Sequence, residues 1–112
     1  MEFTCTARQS GPSLLASVAG DVDLANYPRF TAEAEAWAGK GSDVVLDCSN
    51  VTFMDSMGLR VLVQLRQTLI DGGHSLTLAD PSTPVARVLD LTGVLELFGL
   101  DANAEPVKGP AI

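Results

Sequence analysis

The stretch Asp43-Val-Val-Leu-Asp47-Cys48-Ser-Asn-Val-Thr52-Phe-Met54-Asp55-Ser56-Met57-Gly58-Leu59 decides how this chain folds. Val44-Val45-Leu46 is a short continuous apolar run bounded by polar residues, the pattern of a central strand covered on both faces. From Leu59 onward the period changes. Leu59, Leu62, Val63, Leu69 and Ile70 fall on one helical face, and Arg60, Gln64, Gln67 and Asp71 fall on the other. A strand therefore feeds directly into an amphipathic helix, with Ser56 at the hinge. A small hydroxyl beside a carboxylate at a helix start can serve as a cap, a nucleophile or a phosphate acceptor.

Upstream of the hinge, Phe3 to Ala7 and Ser13 to Val18 alternate loosely around a Ser10-Gly11-Pro12 turn, which reads as a hairpin. After Gly20-Asp21-Val22-Asp23 a helical pattern begins, with Pro28 in its first turn and Phe30, Ala34, Trp37 and Ala38 on one face. Gly39-Lys40-Gly41 ends it. Downstream, Asp71-Gly72-Gly73 stops the second helix and Ser75 to Ala79 forms a strand. Ser82 is the expected N-cap of a third helix, which turns Val85, Val88 and Leu89 to the core and closes at Gly93. Val94 to Leu100 is one more short apolar element. Asp101 to Ile112 is rich in Ala, Pro and Gly and reads as an irregular tail.

The order β-β-α-β-α-β-α plus a short terminal element predicts one α/β domain over residues 1–112, with its core at about residues 3–100 and a mixed sheet of four to five strands packed with α-helices. Strands joined through a helix run parallel with a right-handed crossover, so their C-terminal ends share one edge. That edge is expected to gather Gly20 to Asp23, Cys48 to Ser56, and Asp80 to Thr83, in the crevice where open α/β sheets carry their sites.

Composition narrows the function. Apolar residues make up 46% of the 112, which suits a packed domain. Seven Lys and Arg against fourteen Asp and Glu leave a net charge of −7, which repels phosphate backbones, so nucleic acid is not an expected partner. No apolar run reaches the roughly 18 residues of a membrane span, and the N-terminus lacks the layout of a signal peptide, so no membrane partner and a cytoplasmic location are expected. Cys5 and Cys48 lie in predicted strands and read as buried, reduced thiols. No Cys/His set has metal spacing, and no metal or cofactor is expected.

Two kinds of chemistry at the hinge can be weighed from the residues. A hydrolase would need a base near Ser56, but the sole histidine, His74, lies roughly 24 Å away along the helix, and the glycine that precedes a nucleophile elbow is missing. Asp21, Asp23, Asp47, Asp55 and Asp80 together suggest a Mg²⁺-binding pocket for aspartyl phosphorylation. Against that reading, the first strand ends without an acidic pair, and Lys108 follows no convincing strand. The structural alternatives are that Asp47 accepts N–H bonds from its own loop and that Asp23 and Asp55 cap helices.

The segment from Asp43 to Leu59 resembles the signature of STAS domains, specifically of anti-sigma factor antagonists, and Gly20-Asp21-Val22-Asp23 resembles their upstream Gly-x-x-Asp element. The likeness extends over residues 3–100 and includes the closing Leu91-Thr-Gly-Val-Leu-Glu-Leu-Phe98. It implies a bacterial regulator of transcription and stress response that is itself no enzyme. In that family the unmodified protein binds an anti-sigma factor and frees a sigma factor. The anti-sigma factor is also an ATP-dependent serine kinase that phosphorylates its antagonist, and a serine phosphatase reverses this. The resemblance makes Ser56 the phosphate acceptor. It implies partner-binding roles for Asp21, Asp23, Thr52 and Asp55, and for Met54, Met57, Gly58 and Val61, whose apolar members are expected on a helix flank that the core leaves free. The other reading of such a module is a scaffold subunit of a transporter or stress complex in which Ser56 is only a helix cap. The sequence departs from the family at Met57, where a small residue is commoner, and after Leu100, where the tail stands in place of a last helix.

Overall fold

Two long strands carry the molecule, Ser13–Val22 and Asp43–Met54, and the computed structural model describes residues 2–98 around them. In chain order the elements are β1 (Thr4–Ser10), β2 (Ser13–Val22), a 3-10 turn (Leu24–Asn26), α1 (Tyr27–Ala38), β3 (Asp43–Met54), α2 (Ser56–Asp71), β4 (Leu76–Ala79), α3 (Thr83–Leu91) and a second 3-10 turn (Leu95–Phe98). Among the described residues the sheet has four strands in the order β1-β2-β3-β4. β1 and β2 form the antiparallel hairpin, while β2, β3 and β4 run parallel, as strands joined through helices should. The expected Leu100 and the tail over 101–112 lie outside the described residues.

The two central strands are longer than their local sequence suggests. β2 takes in Gly20, Asp21 and Val22, and β3 continues through Ser49 and Asn50, polar residues of low strand propensity, to Met54. Pairing between distant segments supplies the difference: Asp21 stands beside Phe53 and Val22 beside Met54. Two register shifts, at Ser17/Ala19 and Gly20/Asp21, let the strands stay in step. Gly20 has φ +91°, a backbone region that other residues rarely adopt.

Burial alternates along β2 and β3 instead of being continuous. Leu14, Ala16, Val18, Val44, Leu46 and Cys48 are buried, while Leu15, Ser17, Val45 and Asp47 are only half-buried. The expectation of a strand covered on both faces is thus corrected. Both right-handed crossovers step the same way along the sheet, so α1 and α2 fall on the same side of it. An aromatic run of Phe3, Phe30 and Trp37, with edge-to-face ring contacts at 6.1 and 6.3 Å, fills the layer under α1.

The core stripe of α2 is rotated from the expected one. Gly58, Leu59, Val61, Leu62, Leu65 and Leu69 are buried, Val63 is half-buried, and Ile70 is 42% exposed. α2 packs on α1 as well as on the sheet, and the second contact claims Val61 and Leu65. Ser82 holds the expected N-cap position of α3, but not through its side chain. It has the extended backbone of an N-cap, but its side chain makes no capping bond and its Oγ is buried without a hydrogen-bond partner. Its backbone N–H instead donates to Cys48 O at 3.2 Å, tying the start of α3 to the middle of β3.

The cysteines lie on β1 and β3 with β2 between them, so their Cα atoms are roughly 10 Å apart, beyond disulfide reach. Both are free. Cys48 is fully buried, and burial, helped by the neighbouring Asp47 carboxylate, pushes its thiol up to about 12. Cys5 is half-buried rather than buried, and burial followed by Glu33 raises its thiol to about 11.

Candidate functional site

Ser56 opens α2 at the point where β3 ends, and it is exposed. It is the first residue inside the helix and not its cap. Asp55 is the N-cap: it has the extended backbone the position requires, and its Oδ1 accepts the N–H groups of Met57 at 3.0 Å and Gly58 at 3.2 Å. The capping role weighed for Ser56 therefore belongs to its neighbour. The Ser56 hydroxyl engages no described residue.

The end of β2 builds the other wall. Asp55 donates its backbone N–H to Val22 O at 3.2 Å, which joins the start of α2 to the last residue of β2. Asp23, the next residue along, caps the 3-10 turn by accepting Asn26 N–H on Oδ1 at 3.2 Å. Asn26 in turn donates through Nδ2 to Asp21 O at 2.9 Å. Thr52 Oγ1 donates to Asp21 Oδ1 at 2.6 Å, and this hydroxyl is the main cause that holds the Asp21 carboxyl below its ordinary range. Asp21, Asp23 and Asp55 thus surround the hinge with carboxylates, and neither Asp23 nor Asp55 is ion-paired among the described residues.

Three of the expected contact residues lie beneath this surface. Met54 is 5% exposed, Val61 is 3% exposed and Gly58 is buried, so the expectation that Met54 and Val61 lie on a flank left free by the core is corrected. A Cβ on Gly58 would stand 2.7 Å from Val22 Cγ1 and 3.0 Å from Met54 Cγ, so its lack of a side chain lets the first turn of α2 settle onto β2. Met57 is half-buried, and Asp21, Asp23 and Asp55 are likewise partly accessible. Two apolar residues were missed in the sequence: Leu24, 67% exposed at the start of the 3-10 turn that follows β2, and Phe53, 48% exposed next to the last residue of β3. The signal for Phe53 was present in the alternation of Phe53 with the buried Met54. Nothing local marked Leu24.

The remaining acids do not join the site. Asp47 accepts Ser49 N–H at 2.8 Å, a local bond like the one expected of it although Ser49 lies within β3 and not in a loop, and this bond lowers its carboxyl. It lies more than roughly 20 Å along β3 from Asp55. Asp80 follows β4, whose pairing with β3 ends at Asp47, so it too is far from Ser56. An aspartyl-phosphate pocket is not assembled, and among the described residues no group of three or more His, Cys, Asp or Glu could hold a metal ion. His74 faces Asp43 at 3.6 Å, at the far end of α2.

The fold that carries this site recurs in known proteins. The chain matches the model of the STAS domain over residues 5–106. It is 27% identical over 105 residues to an anti-sigma-B factor antagonist of Bacillus subtilis, covering 94% of this chain and 96% of the relative. A crystal structure of an anti-sigma factor antagonist from Mycobacterium paratuberculosis superposes with a TM-score of 0.74 at 26% identity, over 88% of this chain and 85% of that one. The phosphorylated form of the Bacillus cell fate determinant SpoIIAA shares the fold at 18% identity, with a TM-score of 0.67 over 93% of this chain and 94% of that one. A mixed sheet with its hinge serine at the start of the second helix, in a sequence matched over nearly its whole length, places the chain in the STAS domain family.

Proposed function

We propose that this protein is an anti-sigma factor antagonist switched by phosphorylation of Ser56. Unmodified, it binds an anti-sigma factor that is also an ATP-dependent serine kinase, and so frees a sigma factor for RNA polymerase. Phosphorylation ends the interaction, and a serine phosphatase restores it. In this reading the protein is a cytoplasmic substrate and binding partner, not an enzyme.

The observation that carries the proposal is the division of labour between Asp55 and Ser56. Asp55 supplies the cap that α2 needs, which leaves the exposed Ser56 hydroxyl without a structural task. A phosphoserine brings about −1.5 to −2 charges at pH 7. Here it would stand among Asp21, Asp23 and Asp55, at a helix start that favours an anion but whose N–H groups on Met57 and Gly58 are already taken. The fold tolerates the new charge at its edge. A complex that buries the charge against partner atoms does not. The surface offered to the partner consists of Asp21, Asp23, Thr52, Asp55 and Met57, together with Leu24 and Phe53. Met54, Gly58 and Val61 support it from below.

The test uses the anti-sigma factor recovered with this protein from its source cell. Incubation with Mg²⁺-ATP should place one phosphate on Ser56 and dissolve the complex. Ser56→Ala should bind constitutively and resist release, and Ser56→Asp should bind more weakly. Because a carboxylate carries one charge and phosphate nearly two, the phosphorylated protein itself is the decisive sample. Equal affinity of the phosphorylated and unmodified forms would sink the proposal.

A further inference from the structure

β1 forms one edge of the sheet, and among the described residues no strand lies on its outer side. It pairs with β2 along its whole length, Thr4 to Ser10, without a register shift, whereas the pairing of β2 with β3 is interrupted twice. Edge strands are ordinarily blunted by proline, a bulge, a short span or several charges. β1 has none of the first three, and its one charged residue is Arg8.

The hairpin turn fixes which backbone groups of β1 face outward. Gly11 and Pro12 make a two-residue turn with Gly11 at φ +58°, so the flanking Ser10 and Ser13 exchange hydrogen bonds. Alternation along an antiparallel pair then turns the N–H and C=O of Arg8, Thr6 and Thr4 toward β2 and those of Gln9, Ala7 and Cys5 away from it. Two contacts before the strand keep the same phase. The carbonyl of Glu2 lies against Gly20 of β2, while the carbonyl of Phe3 accepts Arg29 Nη1 of α1 at 3.2 Å. No described residue bonds the outward backbone groups of Cys5, Ala7 and Gln9.

We propose that β1 pairs with the β1 of a second copy of this chain, antiparallel and centred on Ala7, so that the two sheets join edge to edge. A two-fold contact must be self-complementary, and outward groups at Cys5, Ala7 and Gln9 are so about Ala7. Ala7 exchanges hydrogen bonds with the partner's Ala7, Cys5 with the partner's Gln9, and Gln9 with the partner's Cys5. Centring on Thr6 or Arg8 loses a pair, because Phe3 O is taken by Arg29 and Gly11 lies in the turn. Side chains suit the same register, since Ala7 is small and exposed and Thr6 lies opposite the partner's Arg8. The two Arg8 residues lie on a diagonal about 8 Å apart and repel mildly. Arg29 and Glu33 of α1 act on Cys5, which stands about 14 Å from its own copy, beyond the Debye length of about 8 Å. Asp43 and Asp47 lie on β3, two strands in from the edge and about 24 Å from their copies. The contact is a strand edge, well short of the about 800 Å² per partner of a standard interface, so the dimer is weak and reversible. Ser56 lies beyond the end of β3, away from this edge, so pairing leaves the hinge surface open and is independent of its phosphorylation.

Sedimentation of the full chain from micromolar to millimolar concentration should show reversible dimer formation, which added salt strengthens by screening the two Arg8 residues. Amide exchange read by NMR should slow at Cys5, Ala7 and Gln9 as concentration rises, while Thr6 and Arg8, bonded to β2, stay protected throughout. Ala7→Lys sets like charges directly opposite one another at the axis and should weaken the dimer by at least about tenfold, with the melting temperature unchanged because Ala7 is exposed. Ala7→Glu should do the same. An equimolar mixture of the two variants should pair more tightly than either alone, because Lys then faces Glu. If either variant fails to fold, amide exchange in the wild-type chain decides. A chain that stays monomeric at millimolar concentration overturns the proposal, as does a dimer indifferent to Ala7→Lys or a mixture no tighter than its components. Slow exchange at Cys5, Ala7 and Gln9 in the dilute monomer would overturn it equally, by showing the edge already covered.

Discussion

The Asp55 carboxylate holds Gly58 by its backbone N–H at 3.2 Å, and this bond, with the one from Met57 N–H at 3.0 Å, fixes the helix start around the neighbouring Ser56 without using it. The structural task thereby falls to one of two adjacent side chains and leaves the other available for the proposed modification.

The two residues should separate cleanly in stability measurements. Asp55→Ala removes the cap of α2 and should cost about 1 kcal/mol, or roughly 4 °C in melting temperature. Ser56→Ala should change stability by less than about 0.5 kcal/mol. Chemical denaturation of both variants checks this, and the opposite ranking would return the cap to Ser56.

Gly58 should resist the replacement that helix propensity favours. Alanine at an ordinary helical glycine gains about 1 kcal/mol. Here the new Cβ would meet the Val22 side chain, itself fully buried, at 2.7 Å. Overpacking of this kind costs about 1–3 kcal/mol, so Gly58→Ala should be destabilising on balance. A melting temperature equal to or above wild type would show that α2 has room to shift.

Leu24 and Phe53 should matter to binding and little to folding. Both expose large apolar surface beside the hinge, where a partner can cover it. Leu24→Ala and Phe53→Ala should each weaken anti-sigma factor binding by about tenfold, measured by calorimetry, with unfolding midpoints near wild type. Unchanged affinity in both would move the contact surface away from the strand ends.

Alkaline pH should destabilise the fold through Cys48. Its thiol is raised from an ordinary 9.0 to about 12, so the folded protein keeps a proton that the unfolded chain gives up. The stability this contributes is present below pH 9 and is lost as pH rises toward 12. Denaturation midpoints should fall over that range, and Cys48→Ala should flatten the fall even though the smaller side chain lowers the midpoint at neutral pH.

The sequence by itself determined the order of elements, the hairpin, the parallel crossovers and the position of Ser56, because each is written in local signals. Apolar period marks the helices, glycines and prolines mark their ends, and Asp-Ser before an amphipathic run marks a helix start. Only the tertiary structure decided how far β2 and β3 extend, since the strand passes through the unpaired Ser49 and resumes at Asn50 by pairing with Ala19 of a distant segment. The same long-range packing chose which flank of α2 is core. Val61 and Met54 looked free in the helical and strand patterns and are buried because α1 and β2 close over them, while Leu24 and Phe53 are left outside. It also kept Asp80 away from Ser56, because β3 continues well past the end of β4. A residue's period tells which neighbours share its face, but what covers that face depends on the elements packed against it.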